Sequence, residues 1–226
     1  MGAIEAGFIT CRQATAGSGP LWRRHLAAWA GLPCEGMTIG AGPGRRLVLL
    51  RHAKSAWPDV PDHERPLARR GQRDAPVMGR WLRAAGLVPD LVLCSAARRA
   101  RETWQLAQSG LGAAPPVRFD DRVYEASAAA LLDLIRRESG AAETLLVVGH
   151  DPAIPGLALT LAGATDAHPG AGSGAVPAGM LDRMRAKFPT AAIAVFGCTG
   201  SWDRLGPGSA RLACFITPRD LPGRRR

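Results

Sequence analysis

Four short, continuous apolar runs punctuate the chain: Leu47–Leu50, Leu91–Leu93, Leu145–Val148 and Ile193–Phe196, with a weaker fifth at Leu212–Ile216. They are bounded by turn-forming residues and do not alternate with polar ones, which predicts strands buried on both faces. Between them the spacing becomes helical. In Gly71–Ala85 the residues Ala75, Met78, Leu82 and Ala85 recur three or four apart, and in Ala128–Arg137 the residues Leu131, Leu132, Leu134 and Ile135 form one apolar side. Strand followed by helix, repeated, predicts an α/β protein with a mostly parallel sheet covered on both faces. Gly163–Gly179, rich in Gly, Ala and Pro, reads as an irregular surface loop. Residues 1–44 scatter tryptophans among Gly, Ala and Pro without a period, so they read as an extension or linker. The patterned domain is 45–218, and 219–226 is a basic tail. Met37 is an alternative start, because the patterned part begins only eight residues later.

Composition narrows the class. At 226 residues and 46% hydrophobic content the chain can bury a core without staples. Its five cysteines form no C-x-x-C pair and no metal-ligand spacing, and they read as reduced thiols. No run approaches ~18 apolar residues and no signal-like segment opens the chain, which predicts a cytoplasmic protein without a membrane partner. The net charge of +10 invites a nucleic-acid reading. Residues 1–44 and Arg224–Arg226 carry four of those charges, however, and no arginine stripe interleaves with aromatics. A basic pocket for an anionic substrate fits better than nucleic acid.

The candidate chemistry lies where the strand runs end. Leu47–Leu50 leads into Arg51-His52, Leu91–Leu93 into Cys94-Ser95 with Arg98-Arg99 following, and Leu145–Val148 into Gly149-His150. In a parallel α/β sheet, ligands bind at the carboxyl ends of the strands, so these groups should face one crevice. Ser95 reads as a helix N-cap, as does Asp151 followed by Pro152 at the first helical position, and helix N-termini suit an anion such as phosphate. Two histidines among arginines suggest phosphoryl transfer through a nitrogen nucleophile. Imidazole attacks phosphorus only when neutral, and nearby guanidinium groups favour that form while neutralising phosphate oxygens. Nothing in the chain resembles a Walker loop, an H-E-x-x-H pair or a carboxylate cluster for magnesium, so no metal and no cofactor is expected.

The ordered motifs Leu47-Val48-Leu49-Leu50-Arg51-His52-Ala53-Lys54-Ser55, Asp62-His63-Glu64-Arg65-Pro66-Leu67 with Arg70-Gly71, Ser95 through Thr103, and Val148-Gly149-His150-Asp151-Pro152 resemble the histidine phosphatase superfamily. R-H-A-K-S with R-P-L-x-x-R-G is similar to its SixA-type phosphohistidine phosphatases. The resemblance implies a three-layer αβα sandwich of the phosphoglycerate mutase-like kind. It implies His52 as nucleophile with Arg51 beside it, Arg99 rather than Arg98 as a phosphate ligand, His150 as second pocket histidine and Arg65 as a further phosphate ligand. Two departures stand out. Ala53 replaces the glycine common in mutase-like branches and Asp151 replaces the usual asparagine, and neither is expected to touch a proposed ligand.

The general acid stays open among Glu125, Asp62 and none, since phosphohistidine is itself a reactive phosphoramidate. His63 reads as a loop histidine, Arg98 and Arg101 as solvated, and Tyr124 as core. The substrate implied is phosphohistidine on a protein such as a phosphotransfer domain. The alternatives are a small phosphorylated metabolite, or a module that binds phosphate without catalysis. Oligomeric state is not legible.

Overall fold

A computed structural model describes residues 44–163 and 179–222. All but the last residue of the 1–44 extension or linker, Met37 included, most of the Gly163–Gly179 loop and the last four residues of the tail lie outside the described residues. Six strands form one sheet: β1 (Arg45–Arg51), β2 (Leu91–Ser95), β3 (Val117–Asp120), β4 (Thr144–Gly149), β5 (Ile193–Cys198) and β6 (Ala210–Ile216). The helices are α1 (Arg69–Ala84), α2 (Arg98–Leu111), α3 (Ala128–Glu138), α4 (Ala153–Leu161) and α5 (Met180–Ala186). The spatial strand order is β3-β2-β4-β1-β5-β6. β1 to β4 run parallel, β5 lies antiparallel to β1 and β6 antiparallel to β5, so the sheet is mostly parallel as predicted.

The strands read as unbroken apolar runs because each face of the sheet has its own core. Leu47 and Leu49 of β1, with Leu145 and Val147 of β4, pack toward α3, α4 and α5. Val48, Leu50, Leu146 and Val148 pack on the opposite side toward α1 and α2. Alternate side chains thus enter opposite layers, giving the αβα arrangement. β3 was not predicted. It is an edge strand whose Arg118 and Phe119 are exposed, so it lacks the apolar run that marks the central strands. Cys94 and Cys198 are buried free thiols, whereas Cys214 is disulfide-bonded. That departs from the expectation of five reduced cysteines, because pairing through space leaves no mark in sequence spacing.

Helices α1 and α2 approach closely through two glycines. A Cβ on Gly79 would stand 1.8 Å from the Ala107 carbonyl oxygen, and one on Gly110 would stand 2.1 Å from that of Pro76. Gly79→Ala should therefore lower unfolding stability by about 2 kcal/mol, the overpacking penalty outweighing roughly 1 kcal/mol of improved helix propensity. Urea unfolding would show a lower midpoint at unchanged slope, and an unchanged midpoint would mean that the helices part freely.

Candidate active site

β1 delivers Arg51 and His52 to the carboxyl edge of the sheet. The His52 N–H bonds the Gly149 carbonyl at 2.9 Å, so β1 and β4 end in register and bring His52 against His150, ring centroids 5.0 Å apart. After His52 the chain leaves the sheet, and two motifs hold it. Ala68 N–H donates to the Lys54 carbonyl, and Ala56 N–H to that of Pro66, each at 2.9 Å. Gly71 lies so close that a Cβ there would sit 2.3 Å from the Lys54 oxygen, which explains the glycine of R-P-L-x-x-R-G. On α2, Arg99 and Thr103 are buried one turn apart on the same face. The Thr103 hydroxyl donates to the Arg99 carbonyl at 2.6 Å and accepts from Ala53 N–H at 2.9 Å, tying this helix to the loop that begins with His52.

Neither predicted N-cap forms. Helix α2 starts after Ala97, and the Ser95 hydroxyl accepts from the Ala97 N–H at 3.2 Å while bonding His150 Nε2 at 2.7 Å. Helix α4 starts after Pro152. Asp151 instead pairs with Arg51 at 2.7 Å, which corrects the expectation that this departure touches no proposed ligand. Both polar side chains were drawn from capping into the site because a partner from another strand lies within reach.

His52 Nδ1 lies 2.8 Å from the Ala53 carbonyl oxygen. A carbonyl only accepts, so Nδ1 carries the proton and Nε2 keeps its lone pair. Burial pushes the ring down to about 4, against the pull of the Ala53 bond and with help from Arg99, Arg51 and Arg65. His150 is pushed down to about 3, first by burial and then by the neighbouring charges. Both rings are therefore neutral near pH 7.

This neutrality links stability to pH. The ordinary histidine value is 6.5, so below it the unfolded chain binds protons that the folded one refuses. The stability is complete above about 6.5 and is lost as pH falls from there to about 4 for His52 and about 3 for His150, at on the order of 1 kcal/mol per pH unit for each ring. Histidine ring resonances should show His52 titrating near 4. A midpoint near 6.5 would contradict the site geometry.

Arginines line the same space. Arg65 is held on three sides: its Nε donates to the Ala56 carbonyl at 3.1 Å, Nη2 to the Ser55 hydroxyl at 2.9 Å and Nη1 to Asp62 Oδ1 at 2.7 Å. The ring of Trp57, 76% exposed, covers its guanidinium at 3.2 Å. Arg99 donates through Nη1 to the Asp62 carbonyl oxygen and through Nη2 to Asp62 Oδ2, at 2.7 and 2.9 Å. Arg51 uses Nη1 on the Phe188 carbonyl at 2.7 Å, leaving its Nε buried and without a partner. His150 Nδ1 is buried and unpartnered as well. A buried polar atom left unpaired costs about 1–3 kcal/mol, so these two atoms favour a ligand with oxygens to spare.

The predicted residues Arg51, His52, Arg65, Arg99 and His150 thus come together. Glu125 does not join them: it is exposed, and none of these bonds involves it. Asp62, the other acid candidate, lies on both Arg65 and Arg99. The Tyr124 hydroxyl donates to its Oδ2 at 2.6 Å, and this bond together with the arginines holds its carboxyl well below the usual carboxylate range. Tyr124 is not core. It stands edge-on to His150 and to His63, with ring centroids 5.4 and 5.0 Å away, so His63 also borders the site. Thr103 and Tyr124 are the residues that sequence reasoning did not assign here. The four-residue spacing of Ser95, Arg99 and Thr103 was the available signal. Arg98 pairs on the surface with Glu102 at 2.7 Å. Among the described residues, no group of three or more His, Cys, Asp or Glu could hold a metal, and no helix is long and apolar enough to cross a membrane.

Comparison with known proteins agrees with this geometry. Residues 47–144 match the family model of the histidine phosphatase superfamily, branch 1. An uncharacterized protein of Mycobacterium tuberculosis is 43% identical over 171 residues, covering 75% of this chain and all of the relative. A solved structure from Nakamurella multipartitia, assigned as a phosphohistidine phosphatase SixA, is 34% identical with a TM-score of 0.65, covering 78% of this chain and 98% of that one. A second so assigned, from Agrobacterium tumefaciens, is 26% identical with a TM-score of 0.61, covering 78% and 100%.

Proposed function

The chain belongs to the histidine phosphatase superfamily, with SixA-type proteins among its structural neighbours, and on that premise we propose that it removes phosphate from phosphohistidine on a protein by way of a phospho-His52 intermediate. The observation that carries this reading is the 2.8 Å contact of His52 Nδ1 with the Ala53 carbonyl, which leaves a neutral ring with Nε2 free to attack. Nε2 bonds to phosphorus as the bond to the leaving nitrogen breaks, and that nitrogen takes the electron pair. Water then attacks phospho-His52: its oxygen bonds to phosphorus, Nε2 recovers its pair, and inorganic phosphate leaves. Arg51, Arg65, Arg99 and His150 hold the equatorial oxygens, where charge accumulates in the transition state. The catalytic domain in this reading is 45–218.

Guanidinium groups do the neutralising that a divalent cation does elsewhere. Chelators should leave the rate unchanged, and loss of activity in EDTA restored by a metal would refute that part. Substrate class is tested by phosphate release from a phosphohistidine-bearing protein and from a panel of phosphomonoesters. Faster release from the phosphoramidate supports the SixA-like reading. Release from esters alone keeps the histidine chemistry and moves the substrate to a small metabolite, whose alkoxide would need a proton from a group such as Asp62. Phosphate binding without release from either would mark a module that only binds.

A further inference from the structure

Resting on the reading of this pocket as a phosphoryl site, we propose that Asp62 is an internal anion that the phosphoryl group displaces from Arg65 and Arg99 on binding, and that competes with inorganic phosphate for those arginines at the end of the cycle. Both carboxylate oxygens are engaged by donors a phosphoryl group would use. Oδ1 takes Arg65 Nη1, while Oδ2 takes Arg99 Nη2 and the Tyr124 hydroxyl. Both arginines are pinned in place. Each is 7% exposed, Arg65 is fastened to Ala56 and Ser55, and Arg99 is fastened to the Asp62 backbone. A phosphoryl group that takes the same two nitrogens meets them where the carboxylate now sits.

Asp62 is free to leave it. Its side chain is 50% exposed and sits on a single 3-10 turn, Asp62–Glu64, in the connection between β1 and α1. The exchange also has a direction. The carboxylate satisfies Arg65 and Arg99, whereas Arg51 Nε and His150 Nδ1 remain buried without partners. A tetrahedral phosphoryl group has a third oxygen for those atoms and a carboxylate has none. Displacement weakens every oxyanion by the same factor, the share of molecules in which the arginines stand open. A phosphorylated protein can offset that factor through contacts beyond the phosphoryl group. The released inorganic phosphate has no such contacts, so the resident carboxylate limits product inhibition.

The test is calorimetric titration of the full chain with sulfate and with inorganic phosphate, in wild type and in Asp62→Asn, which keeps the shape and removes the charge. Both anions should bind about tenfold tighter or more to the variant, with factors agreeing within about twofold. If Asp62 merely braces the two arginines, both affinities fall instead, and a gain confined to one anion would also overturn the proposal. The Asp62 carboxyl carbon resonance, followed in 13C-labelled wild type, gives a second readout. It should shift as sulfate saturates the site; an unmoved resonance while sulfate binds would mean that carboxylate and anion coexist, so that any tightening reflects relief of repulsion alone. Failure of both proteins to bind either anion would remove the phosphoryl site itself, whereas weaker binding by the variant removes only the role given to Asp62.

Discussion

His52→Ala is expected to lower phosphate release by on the order of 10⁴-fold or more, with little change in folding stability. The imidazole packed against the nucleophile, His150, is no ready substitute, because its Nε2 is engaged by the Ser95 hydroxyl and its ring lies beside that of His52 rather than in its place. A second result should accompany the rate. Acid-labile, alkali-stable phosphate trapped on wild-type protein during turnover should be missing from the variant. Retained turnover, or a trapped phosphoryl group that survives the substitution, would show that phosphorus is attacked by something else. Folding should suffer little because the ring makes one local hydrogen bond and its burial already costs the chain its charge at low pH. The variant should in fact lose less stability than wild type between pH 6.5 and 4, since one of the two depressed histidines is gone.

Arg99→Ala should cost about 10²–10³-fold in kcat/KM, the loss typical of one preorganised donor to a developing anionic charge. Its guanidinium is oriented before any ligand arrives, with one nitrogen on the Asp62 carbonyl and the other on the Asp62 carboxylate, and Thr103 fixes the helical turn that carries it. Lysine should recover little, because a single ammonium cannot keep the backbone bond and present a second donor at the same time. Full recovery by Arg99→Lys would reduce the role of this residue to net charge. Equal losses for Arg98→Ala would argue that neither arginine is specific, although Arg98 is bound to Glu102 on the surface and is expected to be neutral to replacement.

Much of this was legible in the chain. The runs ending at His52, Ser95 and His150 are strands, and the rule that parallel sheets gather ligands at their carboxyl ends brought those residues together without any knowledge of contacts. The hydrophobic pattern sufficed because it is a local record of burial: Leu47 to Leu50 are all fully buried, alternately in two cores. The four-residue spacing of Arg99 and Thr103 matches one face of α2, which Ser95 at the end of β2 precedes. β3 was missed for the same reason the others were found, since its exposed Arg118 and Phe119 leave no apolar run to record.

What only the tertiary structure decided are the pairings between residues distant in sequence. Asp62 and Tyr124 are separated by 62 positions yet share a 2.6 Å bond, and Asp151 meets Arg51 across neighbouring strands. A carboxylate or hydroxyl carries no periodicity that announces its partner, so sequence left the acid open among Asp62, Glu125 and none, and read Tyr124 as core. Likewise the charge state of His52 follows from desolvation and from the Ala53 carbonyl, both properties of the folded environment. The order of apolar residues sufficed to set the sheet and the edge where chemistry happens, because burial is repeated at every turn and strand. The contacts that tune the chemistry occur once each, and only the packed chain specifies them.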